Sequence, residues 1–542
     1  MKGINDQLLV ITKKYQLFYA KFNERKFTLK TIYMPEKSKF IEELNLRYSP
    51  KGEHLILGKG MLEGEVVTEV NVTLPLKTIN RHGLIAGATG TGKTKTVQVF
   101  AEQLSHAGIP SLVLDIKGDF SGIARPGERN KIIEERYGKT KLNWEAQDFP
   151  VELLSISKEP GVRLRATTTE FGPVLLSKIL NLNDTQSSIM SIIFKYCDDK
   201  GLPLIDLEDL KKVLQYVTDH PQGKEELSKD YGSISKASLG AILRSIVALE
   251  QQGATSFFGE PSFDVFDLLK VKDGKGVVNI LRVADIQSRP QLFSTFMLSL
   301  FAEIYMSFPE EGDSGKPKLV LFIDEAHLIF KESSKALAQQ IETMVMLIRS
   351  KGVGIYFITQ VPGDIPQEVL SQLGMKIQHA LRGFTAKDRK EITKAVENYP
   401  ITEFYDAPQL IQNLGIGEAF VTALDEKGIP TPLVHTYLIS PESRMDVLSQ
   451  GEIGELVSSS KLVEKYEEDL DKDSAYELLT AKMEKAVAEA PERERKKVVS
   501  KAEPSVLESV MNSRAGRTFT TTLAREGAKF VLGMLGLGTK RR

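Results

Sequence analysis

Gly87-Ala88-Thr89-Gly90-Thr91-Gly92-Lys93-Thr94 is the stretch on which the reading of this chain turns. It fills every position of the glycine-rich pattern that ends in Gly-Lys-Ser/Thr. Upstream, Gly83 to Ala86 has the apolar run of a short buried strand. Downstream, Thr94 to Ala107 sets Val97, Phe100, Ala101 and Leu104 on one face of a helix. Strand, loop and helix in that order make a cradle for phosphates. Glycines let backbone N–H groups turn inward, and the helix N-terminus adds partial positive charge. Lys93 can reach the β- and γ-phosphates, and the Thr94 hydroxyl can ligate Mg²⁺. Gly87, Ala88, Thr89, Gly90, Thr91, Gly92, Lys93 and Thr94 are therefore expected to bind ATP, with Mg²⁺ as its companion.

Outward from this loop, Gly108 stops the helix and Ser111 to Asp115 reads as the next strand. Alternation of this kind implies parallel strands joined by right-handed helical crossovers. Residues 125–270 interrupt it with amphipathic runs at Val174 to Cys197, Leu207 to Val217 and Ser235 to Gln251. The rhythm then resumes: strand Val277 to Leu281, helix Phe293 to Met306, strand Leu319 to Asp324, helix Ala336 to Ser350 and strand Gly354 to Thr359. Strand Lys376 to Leu381, helix Ala386 to Val396 and a β pair (Glu418 to Leu424, Leu433 to Ile439) complete it. The expected fold is α/β, a mostly parallel sheet with helices on both faces, plus a helical insertion and a helical C-terminal tail. The expected boundaries are 1–45 for an N-terminal extension and 46–79 for a short β segment. The ATPase domain takes 80–124 and 271–445, the mainly helical insertion 125–270, and a charged, then basic, tail 446–542.

Lys318 to Glu325 supplies the second half of the site. Leu319-Val320-Leu321-Phe322-Ile323 suits a strand buried on both faces, and Asp324-Glu325 falls at its carboxyl tip, where open parallel sheets bind ligands. Asp324 is expected to hold Mg²⁺ through water. Glu325 can orient and deprotonate an attacking water, which makes the site hydrolytic. Gln360, after the strand ending at Thr359, is placed to sense the γ-phosphate. Arg81, Arg349 and Arg382 compete to stabilise charge in the transition state, a contribution worth about 10³ to 10⁵ in rate. None lies in the loop or beside Glu325, so delivery by a neighbouring subunit is the expectation.

Composition narrows the field. The chain has 542 residues, 41% hydrophobic and 26% charged, the balance of a soluble globular protein with a large core. Lys and Arg (71) nearly cancel Asp and Glu (72), so no whole-molecule basic field advertises nucleic acid, although a channel can still be basic. The single Cys197 excludes an intrachain disulfide and a cysteine zinc site. The N-terminus lacks the pattern of a secretory signal, and no apolar run reaches the length of a membrane span, so a cytoplasmic protein without membrane contact is expected.

Several motifs together resemble the HerA/FtsK superfamily, and within it the bacterial HerA-like helicases of the YjgR type. They are Arg81-His82-Gly83 leading into the glycine loop, Asp115-Ile116-Lys117-Gly118-Asp119, Asp324-Glu325-Ala326-His327, Ile348-Arg349-Ser350-Lys351-Gly352 and Ile358-Thr359-Gln360. That resemblance implies a RecA-like domain, hexameric self-assembly and translocation or unwinding of duplex DNA. It implies that Lys93, Thr94, Asp324, Glu325 and Gln360 serve ATP hydrolysis and that Arg349 and Arg81 act across a subunit boundary. A nuclease is the protein partner it suggests. Lys117, Lys331 and Lys335 are candidate pore lysines. The competing reading is an ATP-dependent switch that binds protein partners without moving DNA.

Overall fold

The computed structural model of the chain describes residues 37–286, 289–312, 315–330, 335–383, 385–467 and 474–489. The strands are β1 (His54–Leu62), β2 (Glu65–Pro75), β3 (Gly83–Ala86), β4 (Ser111–Asp115), β5 (Val151–Ser155), β6 (Val162–Arg163), β7 (Val271–Lys272), β8 (Lys275–Gly276), β9 (Val278–Arg282), β10 (Leu319–Ile323), β11 (Val353–Thr359), β12 (Met375–Gln378), β13 (Glu418–Thr422) and β14 (Val434–Leu438). All except the small hairpin β7–β8 join one sheet, in the order β2-β1-β14-β13-β12-β3-β11-β10-β4-β9-β5-β6. From β12 to β6 every pairing is parallel; from β12 to β2 every pairing is antiparallel.

The parallel strands are continuous apolar runs because both faces are covered. Tyr356 and Phe357, neighbours on β11, point to opposite faces. Tyr356 meets Phe100 of helix Lys93–His106 at 4.8 Å between ring centroids, and Phe322 joins that cluster at 5.4 Å from Phe100. Phe357 meets Phe330 of helix His327–Phe330 at 5.5 Å. The architecture is thus α/β, with a RecA-like, mostly parallel sheet between helices.

Two expectations change at the sheet's ends. The segment 46–79 is no separate element: β1 and β2 form a hairpin that extends the ATPase sheet through β14. The fit demands a glycine, since a Cβ on Gly58 would stand 2.1 Å from the Tyr437 carbonyl oxygen. Helix Lys37–Tyr48 buries Phe40, Leu44 and Tyr48 in the same core; residues 1–36 lie outside the described residues. At the other end β5 and β6 fall inside the interval 125–270 yet belong to the sheet.

The described residues divide into two compact units, 37–164 with 263–467 and 165–262 with 474–489. The helical unit is therefore shorter than the expected insertion, and it recruits part of the tail. Its helices are Thr168–Ile179, Asp184–Lys200, Leu207–Asp219, Pro221–Tyr231, Lys236–Gln251 and Ala475–Glu489. The run Val174 to Cys197 splits because Asn183 caps a new helix, its side chain accepting the Gln186 N–H. Asp209, buried, accepts the N–H groups of Ile205 at 2.8 Å, Asp206 at 3.0 Å and Tyr476 at 2.8 Å, and the Ser474 hydroxyl as well. Helices Gln450–Ser458 and Lys461–Tyr466 of the expected tail bury Ile453, Leu462 and Tyr466 in the ATPase unit instead. The basic stretch after Pro504 lies outside the described residues.

Helix Lys93–His106 is also anchored by Glu102, a buried carboxylate that accepts the N–H groups of Glu442 at 2.8 Å and Ser443 at 3.1 Å. Burial pushes its pKa from 4.5 up to about 7. Between those values the folded chain keeps a proton that the unfolded chain has lost, so this group makes stability fall as pH rises through the window. Glu102→Gln should flatten the decline in melting temperature from about pH 5 to about pH 7. An unchanged pH dependence in thermal denaturation would exclude the effect.

Candidate active site

β3 delivers the glycine loop to the carboxyl edge of the sheet, where Gly87 N–H donates to the Thr359 carbonyl at 3.2 Å and Ala88 N–H to that of Ala380 at 2.8 Å. Gly87, Gly90 and Gly92 have φ of 155°, 77° and 110°. At Gly87 the requirement is also steric, because a Cβ would come within 2.5 Å of the His379 Cβ. Lys93 opens the helix and is buried. Its Nζ donates to the carbonyls of Gly87 at 2.6 Å and Ala88 at 3.1 Å. Burial and the neighbouring Lys117 ammonium lower its pKa, against the pull of Glu325 and Asp324.

β10 brings Asp324 and Glu325 to the same edge, each 4% exposed. Burial pushes the Asp324 carboxyl up to about 7, with Lys117 opposing and Glu325 reinforcing the rise. Glu325 has φ of 46°, the left-handed region that costs a side-chain-bearing residue energy and marks strain held in place by its surroundings. Lys117 Nζ stands 2.6 Å from Glu325 Oε1 and 3.9 Å from Asp324 Oδ2, and His327 Nδ1 is 3.2 Å from Glu325 Oε2. Lys117 and Asp119 arrive on the loop after β4. Asp115 shapes it by accepting the N–H groups of Gly118 at 2.7 Å, Asp119 at 3.1 Å and Phe120 at 3.2 Å. Burial and the nearby Asp119 hold the Asp115 pKa up at about 6. Thr94 Oγ1 donates to Asp119 Oδ2 at 3.2 Å.

Loop, lysine and acidic pair thus meet, far apart though they are in sequence. The donor set suits Mg²⁺, a hard ion taking oxygen ligands. Asp119 Oδ1 and Asp324 Oδ2 are buried without a hydrogen-bond partner, and the other oxygen of Asp119 accepts from the Thr94 hydroxyl. Among the described residues no group of three or more His, Cys, Asp or Glu could cage a metal, so phosphate and water would complete the shell.

Gln360 is exposed at the tip of β11, on the site's edge. Arg382, exposed after β12, is also toward this edge and donates to the Gln412 carbonyl. Arg81 and Arg349 lie elsewhere: one precedes β3 and the other precedes β11, at the amino edge. The four residues of β3 alone put about 13 Å between the two edges. His82 ties that edge together, its Nδ1 accepting Ile355 N–H at 3.0 Å and its Nε2 donating to the Val345 carbonyl at 2.9 Å. Burial lowers its pKa to about 4, which keeps the ring neutral as this pairing needs.

Sequence reasoning passed over Asp119, His327 and His379 as site residues. Asp119 and His327 lie inside the motifs 115–119 and 324–327, two residues past Lys117 and Glu325. His379, buried beside the glycine loop with Nε2 3.0 Å from Thr96 Oγ1, carries no signal in the sequence.

The sequence profile of the family described as Helicase HerA-like C-terminal matches residues 61–540. The DNA double-strand break repair helicase HerA of Saccharolobus solfataricus is 25% identical over 387 residues, which cover 70% of this chain and 68% of that protein. The DNA import protein CedB of Sulfolobus acidocaldarius is 22% identical over 413 residues, 76% of this chain and 61% of that one. The chain thus spans about two thirds of the length of these relatives. Among solved structures, plasmid coupling protein TrwB in complex with ADP and Mg²⁺ aligns at a TM-score of 0.48 and 15% identity, over 73% of this chain and 97% of its own. No single helix among the described residues is long and apolar enough to cross a membrane.

Proposed function

The chain belongs to the HerA-like helicase family and is a P-loop ATPase, and from that premise we propose that it is a cytoplasmic, ring-forming motor that translocates or unwinds duplex DNA. The observation that carries this reading is the division of charged groups between the two edges of one sheet. Lys93, Thr94, Asp324 and Glu325 gather at the carboxyl edge, and Arg81 and Arg349 stand at the amino edge. A site of the first kind lacks a nearby arginine from β3 or β11 of its own chain. A neighbouring subunit that presents its amino edge supplies one, and repetition of that heterologous contact closes a ring.

In this reading the loop's backbone N–H groups and Lys93 bind the β- and γ-phosphates of ATP, and Lys93 leaves its carbonyl partners to do so. Thr94 and Asp324 would hold Mg²⁺, which offsets phosphate charge when bound. Glu325 orients the attacking water and takes its proton at a carboxylate oxygen. Gln360 positions that water from the tip of β11. The neighbour's Arg349, with Arg81 beside it, stabilises charge on the transferring phosphate.

ATP turnover measured with and without duplex DNA should rise several-fold on DNA addition. The gain should shrink as salt increases, because phosphate contacts release counterions. Light scattering with a non-hydrolysable ATP analogue and duplex DNA should give six times the subunit mass. Turnover indifferent to DNA in a protein that stays monomeric would instead support a partner-binding switch. The helical unit, with Val174, Tyr476 and Leu478 exposed, offers a surface for that role.

A further inference from the structure

Lys117 stands in the site with no part in the steps above. Its loop is fixed, since Asp115 ties down three successive N–H groups and Asp119 meets Thr94. Its side chain is less confined: 38% of it is exposed, against 5% for Glu325 and 6% for Asp324. Lys93 meanwhile is folded back on the carbonyls of its own loop. The Lys117 ammonium is close enough to disfavour the charge on Lys93, while, against burial, the carboxylates of Asp324 and Glu325 hold the Lys117 pKa up, so an anion arriving beside them relieves Lys93.

We propose that Lys117 is a movable counter-ion, paired with Glu325 while the site is empty and transferred to the γ-phosphate when ATP binds, so that the third phosphate is what frees Glu325. The proposal rests on the reading of the loop as the phosphate site. A terminal phosphate carries nearly two negative charges near neutral pH, whereas Glu325, the nearer of the two carboxylates facing Lys117 at 2.6 Å against 3.9 Å for Asp324, carries one; with Mg²⁺ to take up the charge left on Asp324, the ammonium would gain by moving. A lysine stem has the freedom to make that move without a change in the backbone. ADP lacks the γ-phosphate and leaves Lys117 on Glu325. The residue thereby separates substrate from product and keeps the base covered after each turnover.

The test is equilibrium binding of ADP and of a non-hydrolysable ATP analogue to the full chain and its variants. Lys117→Met should weaken the analogue roughly tenfold and leave ADP unchanged, the loss of one charge-assisted contact made only to the third phosphate. Glu325→Gln, which releases the lysine, should tighten the analogue several-fold, and that gain should vanish in the double variant with Lys117→Met. Lys117→Arg keeps the charge and should keep most of the preference for the analogue. Should Lys117→Met not fold, Lys117→Gln serves in its place. Equal shifts for both nucleotides, no shift for either, or a Glu325→Gln gain that persists without Lys117 would overturn the proposal. Lys93→Ala separates the two layers of argument. If it leaves both nucleotides bound as before, the phosphate-site reading itself fails. If it abolishes binding while Lys117→Met is neutral, only the counter-ion is lost.

Discussion

Glu325→Gln should lower ATP turnover by about 10³-fold while ATP binding survives, within the range that a positioned general base contributes. The amide has the shape of the carboxylate and can still accept a hydrogen bond from water, but it cannot take the proton. The left-handed backbone at this position (φ 46°) places no new demand on glutamine, since glutamate already bears that strain. The expected signature is a collapse of kcat with the affinity for nucleotide unchanged or tighter. Single-turnover hydrolysis beside equilibrium binding resolves the two. A loss under about tenfold would mean that Glu325 is not the base, because a general base is worth at least about 10²-fold.

Arg349→Ala should produce a loss of similar size, about 10³ or more in kcat, by a different route. Arg349 stands before β11 at the edge opposite the glycine loop, so in the proposed ring it serves a neighbour's nucleotide, with Arg382, exposed toward the loop's own edge, as the same-chain alternative. The prediction therefore includes a rescue. Subunits carrying Arg349→Ala keep an intact loop; subunits carrying Lys93→Ala keep an intact arginine. Mixed in one assembly, the second should complete the sites of the first, and turnover should rise well above the sum of the separate preparations. Absence of rescue in assemblies shown to be mixed would place the arginine's effect within its own chain.

What the sequence disclosed and what it hid follow from the range of the forces involved. The loop 87–94 was legible because its requirements are local: φ values that favour glycine, a strand before it and a helix after it. The runs at β4, β10 and β11 were legible because strands buried on both faces must be apolar throughout. The hairpin β1–β2 was seen as strands but not as part of the sheet. Its attachment depends on Gly58 meeting Tyr437, a contact between residues remote in sequence. Strands β5 and β6 were hidden because five and two residues give too little periodicity to set against the helices that follow. The site shows the same division. Types of residue announced Lys93, Asp324 and Glu325, but that Lys117 grips Glu325 is a matter of 2.6 Å in space.

The carboxylate of Asp209 waits for residues far downstream. Two of its hydrogen-bond donors, Ser474 and Tyr476, are synthesised more than two hundred and sixty residues after it. On a translating ribosome, helices 168–251 therefore emerge with a buried acid only partly satisfied, and the sheet's own later strands are made before relief arrives. Maturation of the helical module thus follows synthesis of every strand of the ATPase sheet. A chain cut short before Ser474 would carry a complete set of ATPase strands and a helical module left unfinished.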